Sequence, residues 1–387
     1  MSTDTTAPVG ERPHVVVVTR HWGEETDERA ALGRLLAGAL ARAARVSVVH
    51  LVPAPLLSGA ADGPDSVFRV YRRAVHGSEP LRGGIARAAL LGAGVAAPGR
   101  AGAALLEQLR GEAPEVPALV RALGADAVVL LGHDQPYDLA AACGGARVVA
   151  IPLLGANAPG EVAGADRLLA RADVVLGAHP GEIAGLAAAL PPGAPVVPLD
   201  LALTMNRAAV RHRLFGVRWF GRYVVALRGF PARTPRHVRS VSHEMLRRVL
   251  GRVAVAEVDD GRWRITDGKS HLLLPVNPSR VNLWRLMEHA LMTIDLRPPG
   301  PIGREAIESL LLATPVVVPD GSAAMAHARA ADGGLWYRDL GECFDAARVL
   351  LDRPLRERLG EQGARYALAH HGDMDGFVAR IARLVLG

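Results

Sequence analysis

Residues 14–52 read HVVVVTRHWGEETDERAALGRLLAGALARAARVSVVHLV. The four consecutive valines after His14 leave no polar face, which marks a strand covered on both sides. Residues 24–44 open with four acids, Glu24, Glu25, Asp27 and Glu28, and then carry Leu32, Leu35, Leu36 and Leu40 at helical spacing. An acidic first turn followed by that period describes an amphipathic helix. RVSVVHLV, residues 45–52, supplies a second strand. The chain therefore opens β-α-β, with a connection of the length that a parallel crossover needs.

Working outward, the alternation repeats. Residues 114–124 read as a helix, 125–133 and 146–154 as strands, 165–190 as helix, short strand and helix, and 194–200 as a strand. A second series starts at GRYVVALRG, residues 221–229. It continues with a helix over 235–251, a strand over 251–258, a helix over 279–290, a strand over 291–298, a helix over 304–313, a strand over 315–320 and a helix over 341–352. Continuous Val/Ile/Leu strands between amphipathic helices indicate parallel sheets covered on both faces. The fold class is α/β, with two Rossmann-like, doubly wound domains facing a cleft and hinged near residues 200–220. The expected boundaries are a disordered leader over 1–12, a first domain over 13–205 and a second over 206–387, with the last helix able to pack back on the first domain. At 387 residues, the chain is long enough for two cores.

Half of the residues are apolar, which excludes a disordered chain. Cys143 and Cys343 show no metal-ligand or redox spacing, so a disulfide scaffold or structural zinc is not expected. The polar N-terminus MSTDTTAPVGERP has no apolar stretch of signal type, and no run approaches a membrane span, so the expected location is the cytoplasm. SVFRVYRRAVHG (66–77) and AVRHRLFGVRWFGR (209–222) interleave arginine with aromatic and apolar residues. That composition suits peripheral contact with an anionic membrane surface as well as ordinary amphipathic packing.

The net charge of +6 is unevenly spread. Residues 1–200 hold 17 arginines against 20 acids, whereas 201–387 hold 28 cations against 19 acids, and Lys269 is the only lysine. Eleven arginines lie from Arg207 to Arg248 against one acid, Glu244. Guanidinium forks suit phosphate oxygens, although a solvated basic face would read the same way. Nucleic acid is not expected, because no aromatics are interleaved in a reader motif.

The stretch PIGREAIESLLLATPVVVPDGSAAMAHARAADGGLWY, residues 301–337, resembles the donor-binding half of family-4-type retaining glycosyltransferases with the GT-B fold. The matching features are the Ile302-Gly303 turn, Glu308 on the following helix, Ala313-Thr314-Pro315-Val316-Val317, Asp320-Gly321-Ser322 and Gly333-Gly334-Leu335. In the first half, ARADVVLGAHPGEIAGL is similar to the family's acceptor-domain pattern. The resemblance implies a glycosyltransferase that moves a sugar from a nucleotide-diphosphate donor to a small-molecule, glycan or lipid-linked acceptor. It also implies retention of anomeric configuration, with no metal and no cofactor beyond the donor.

On that resemblance, Arg228, Arg233 (or Arg236), Gly303 and Arg304 would receive the donor phosphates and Glu308 the nucleotide ribose. Arg304 and Glu308 also stand at i,i+4, the spacing of an ordinary exposed helix pair. Trp22, Gly23 and Glu24 occupy the acceptor loop after the first strand. Their plainer reading is a tryptophan packed under the loop and a carboxylate complementing the helix N-terminus. His133 and Asp134, at another strand end, are candidates for orienting the acceptor hydroxyl, against a structural histidine. Besides Arg228 and Arg233 or Arg236, which only approximate the family's arginine and lysine, two positions depart from the family. Gly300 stands where its first glutamate would, and the position of its acceptor-domain histidine falls near Leu153. Both departures fit a second reading, a catalytically degenerate scaffold or partner of another transferase.

Overall fold

The computed structural model describes residues 12–19, 28–53, 66–72, 120, 123–132, 143–154, 169–191, 193–203, 205, 210, 222–227, 246, 248–251, 253–259, 262–266, 271–273, 279–297 and 299–387. They fall into two compact units. The first takes the described residues up to Ala178 together with Glu182–Leu199 and Asp375–Gly387. The second takes His179–Gly181 and Asp200–Met374.

In the first unit, β1 (His14–Thr19), α1 (Glu28–Leu40) and β2 (Arg45–Pro53) are the opening β-α-β. β3 (Ser66–Arg72), β4 (Ala127–Leu131), β5 (Arg147–Ile151), β6 (Val174–Gly177), α2 (Pro180–Ala189) and β7 (Val196–Pro198) follow. The sheet runs β3-β2-β1-β4-β5-β6-β7, with every pairing parallel. Strand order reverses between β1 and β4, and β1 is an interior strand: Val16 sits opposite Ser47 on one side and Val128 on the other. Val15 to Val18 are fully buried, as their unbroken apolar run requires. Residues 66–72, read from composition as a membrane-facing amphipathic stretch or ordinary packing, form the edge strand β3. Most of 209–222 lies outside the described residues.

The second unit contains β8 (Tyr223–Leu227), β9 (Ala254–Asp259), β10 (Arg262–Thr266), β11 (His271–Leu273), α3 (Arg280–Glu288), β12 (Thr293–Asp295), α4 (Arg304–Leu311), β13 (Val316–Pro319), α5 (Ala323–Ala330), β14 (Gly334–Tyr337), α6 (Leu340–Val349) and α7 (Arg353–His371). Its sheet order is β11-β10-β9-β8-β12-β13-β14. The five strands from β9 to β14 are parallel, and β10 and β11 add an antiparallel edge. The two faces of β8 are sorted by period two. Tyr223, Val225 and Leu227 join Trp263, Ile265, Leu283 and Trp284 in one cluster. Val224 and Ala226 join Ile294, Val317 and Phe344 in the other.

The final helix, α8 (Met374–Leu386), belongs almost wholly to the first unit. It buries Phe377, Ile381 and Val385. Arg147 Nε donates to the Leu384 carbonyl at 3.1 Å, and Arg380 Nη2 donates to the Leu199 carbonyl at 3.0 Å.

Candidate functional site

Strand order in the second unit reverses between β8 and β12, and in doubly wound sheets the crevice beyond the carboxyl ends at such a point is where ligands bind. β12 ends at Asp295, which lies opposite Leu227, the last residue of β8. The chain then passes through Arg297 and Gly300 to the Ile302-Gly303 turn and into α4. Gly303 is the N-cap of α4 with φ 69°, a left-handed conformation that suits glycine, and it provides no side-chain cap. Its carbonyl accepts from Ala306 and Ile307, so the helix ladder starts here. Next to this turn α5 begins, capped by Ser322, whose hydroxyl accepts from Met325 N at 3.0 Å and donates to the Pro319 carbonyl at 2.6 Å.

Around the turn runs an alternating chain of ions. Arg297 forms a two-pronged pair with Asp295, Nε to Oδ1 at 2.9 Å and Nη2 to Oδ2 at 2.8 Å, and reaches Glu305 Oε2 at 3.0 Å. Arg280, the first residue of α3, meets Glu305 Oε1 at 2.6 Å and Glu308 Oε1 at 3.3 Å. Arg304 Nε closes the series on Glu308 Oε1 at 2.9 Å. Three carboxylates thus alternate with three guanidiniums. Burial alone would raise the Glu305 carboxyl, but the charges and hydrogen bonds of Arg297 and Arg280 hold it well below the usual carboxylate range. Glu308 goes the other way. Its burial raises it, Arg280 and Arg304 oppose the rise, and the negative charge of Glu305 adds to it.

Glu308 is fully buried, while Arg280 and Arg304 are 26% and 20% exposed. Its second oxygen, Oε2, and the Trp284 indole nitrogen are both buried, and the Trp284 side chain joins Arg280 and Arg304 in opposing the rise of the Glu308 carboxyl. The i,i+4 pair with Arg304 is formed, but at a buried position rather than an exposed one.

Of the sequence-derived site residues, Gly303, Arg304 and Glu308 are brought together here. Arg228, Arg233 and Arg236 lie outside the described residues, as do His133, Asp134, Trp22, Gly23 and Glu24. Four members of the ion chain, Arg280, Asp295, Arg297 and Glu305, were not singled out from sequence. The available signals were an acid and an arginine two apart at a strand end and a second glutamate one turn before Glu308. Leu153, near the position of the family's acceptor-domain histidine, is fully buried with φ 54°. Beside it, the buried Glu182 carboxylate accepts from Leu154 N and Ala178 N, both at 2.6 Å, and so ties the ends of β5 and β6 together. Burial raises its pKa against those two hydrogen bonds and Arg29.

No family model and no curated protein matches the chain. Solved structures do. The lipopolysaccharide glycosyltransferase WaaG superposes with a TM-score of 0.60 at 11% identity, covering 96% of this chain and 100% of that one. The sucrose-phosphate synthase of Thermosynechococcus elongatus gives 0.59 at 14% identity, covering 96% and 98%. HepE of Anabaena, solved with UDP and glucose, gives 0.57 at 13% identity, covering 96% and 99%. The chain has the GT-B fold. The fold expectation drawn from the alternating strands and helices is met over nearly the whole chain, with the GT-B topology in both sheets. No helix among the described residues is long and apolar enough to cross a membrane.

Proposed function

We propose that this GT-B chain is a metal-independent, retaining glycosyltransferase of the family-4 type. Its second unit takes a nucleotide-diphosphate sugar, and its first unit holds the acceptor. The observation that carries the reading is the Gly303 turn at the reversal point of the second sheet. A positive-φ glycine there opens α4 against the start of α5, with Arg304 and Arg280 alongside. Backbone N–H groups at a helix start and guanidinium forks suit a diphosphate. In the reaction the bond from the anomeric carbon to the β-phosphate oxygen breaks, and the acceptor oxygen bonds to that carbon on the same face. The departing phosphate oxygen takes the acceptor proton. Charge accumulates on the leaving diphosphate, where these groups stabilise it without a divalent ion.

Calorimetry with UDP-, GDP- and dTDP-sugars, followed by donor hydrolysis in Arg228→Ala and Arg304→Ala, tests the proposal. Binding of one donor and a steep loss of turnover in the variants are expected. Unchanged turnover in both variants removes the site assignment.

A second reading, a GT-B scaffold without turnover, is favoured by Gly300 and by the arginine pairing that already occupies Glu308. A scaffold need bind none of the three donors, so the same titration separates the two readings.

A further inference from the structure

We infer that the buried histidines His179, His327 and His371 form an acid-released clasp, which holds the chain's entry into and exit from the second unit to the Gly303 turn and lets both go as protons are taken up. All of its members lie within the second unit.

The geometry gives three reasons. First, the rings are packed on one another. His327 of α5 stands edge-on to His371 of α7 at 5.2 Å between centroids and lies 6.4 Å from the ring of Tyr366, which is 4.6 Å from that of His370. His179, His327 and His371 are each no more than 5% exposed. Second, the cluster joins segments that are distant in the chain. The chain enters this part of the unit at Asp200 and leaves it after Met374. His371 ties entry to exit: its Nδ1–H donates to the Leu201 carbonyl at 2.8 Å, and its own carbonyl accepts from Leu203 N at 2.9 Å. His327 ties both to the turn, since it donates to the Ile302 carbonyl beside Gly303 and its Nδ1 lies 3.4 Å from the Tyr366 hydroxyl. Third, the closed cluster suits neutral rings. The titratable groups facing His327 are Tyr366, His370 and His371 on α7 and His179 before α2, so a proton added there meets other imidazoles; Asp200 acts on Tyr366. Burial first, and then those imidazoles, hold the His327 pKa down at about 3.

The consequence is a conformational equilibrium that runs on protons. A closed cluster refuses the proton that an opened one takes up near the ordinary 6.5, so acid favours opening. From His327 alone, the opening constant should rise about 30-fold between pH 7.5 and pH 5. Opening releases Leu201 to Leu203 and the Ile302-Gly303 turn together. That this turn receives a donor rests on the proposed function, whereas the clasp itself does not.

The test is amide hydrogen exchange of the full chain at pH 7.5 and 5.0, corrected for the intrinsic effect of pH on exchange and repeated in low concentrations of urea. The reporters are Leu203 N, which donates to His371, and Ala306 and Ile307 N, which donate to Gly303; Val225 N, which donates to Met292 within the second sheet, is the reference. Protection at the reporters should fall about 30-fold at pH 5.0 with little dependence on urea, the mark of a local opening, and His327→Gln should abolish the pH effect. Protection that ignores pH overturns the clasp. So does a loss that persists in folded His327→Gln protein, or a urea slope at the reporters equal to that of Val225, which would signal global unfolding. Should His327→Gln fail to fold, Tyr366→Phe decides: loss of the hydroxyl at Nδ1 should speed exchange at Leu203 and Ile307 together at pH 7.5, and acceleration of one alone or of neither overturns the clasp. Opening as described in a protein that binds no nucleotide sugar would leave the clasp standing and remove the proposed function, and donor binding with exchange indifferent to pH would do the reverse.

Discussion

Gly303 lies so close to the start of α5 that a Cβ built on it would stand 2.6 Å from the backbone nitrogen of Ala324 and 2.8 Å from its Cα. These are main-chain atoms of a capped helix, so they cannot rotate aside as a side-chain tip can. The turn also needs φ 69°. A Gly303→Ala substitution therefore adds left-handed strain and overpacking, which together should destabilise the second unit by about 2–4 kcal/mol. Urea unfolding followed by circular dichroism should show a lower midpoint with an unchanged slope. An unchanged midpoint would mean that α5 gives way at no cost.

Ala313 should behave in the opposite sense. It has φ 57° and an exposed side chain, immediately after α4 and before Thr314 and Pro315. Glycine at this position loses no packing and removes the left-handed penalty of an alanine, although its unfolded chain is more flexible. Ala313→Gly should therefore stabilise the protein by about 0.5–1 kcal/mol. Thermal unfolding would check it, and a lowered Tm would show that the strain is not released there.

The parallel strands were legible because burial on both faces leaves an unbroken apolar run, as in Val15 to Val18 or Val316 to Val318. The antiparallel edge escaped because β10 carries another pattern. In Arg262–Thr266, Trp263 and Ile265 join a core cluster, whereas Arg264 between them is exposed and pairs with Glu257 of β9. Alternation over five residues is too short to stand out among so many arginines. At the site, Gly303 and Glu308 could be read from local motifs within one turn and helix. The contacts of Arg280 with Glu305 and Glu308, and of Arg297 with Glu305, could not, since these residues meet only once α3, β12 and α4 are packed. A count of arginines points to a basic half. It does not reveal that three of them are already matched to carboxylates.

Glu305 should dominate the acid limb of stability. Its folded pKa is held well below the ordinary 4.5. The native state therefore binds its proton less readily than the unfolded chain does. The contribution to stability is complete above pH 4.5 and is lost as pH falls from there through the folded value. Glu305→Gln leaves Arg297 and Arg280 short of a charged partner and should cost about 3–5 kcal/mol at pH 7. It should also flatten the fall in stability below pH 4.5. Urea titrations at pH 7, 4.5 and 3.5 on both proteins would read this, and parallel curves would contradict it.

His327 should be visible in a separate and higher window. It is buried on α5, with Nδ1 3.4 Å from the Tyr366 hydroxyl and its ring edge-on to His371 at 5.2 Å between centroids. Burial comes first among the causes that lower its pKa from 6.5 to about 3, and His371, His179 and His370 add to it against a hydrogen bond to Ile302. His371 is itself fixed, its Nδ1–H donating to the Leu201 carbonyl at 2.8 Å, while its own carbonyl accepts from Leu203 N at 2.9 Å. Below pH 6.5 the unfolded chain takes up a proton on His327 that the folded chain refuses, so stability falls with pH from 6.5 towards 3. Replacing it as His327→Gln removes that slope. Between pH 6.5 and 5, above the window of Glu305, the wild-type protein should lose about 1.5 kcal/mol more than the variant. The rest of the chain is the same in both proteins, so the difference reports on His327 and its contacts. Equal losses over that interval would mean that its imidazole is protonated in the native state as easily as in the unfolded chain.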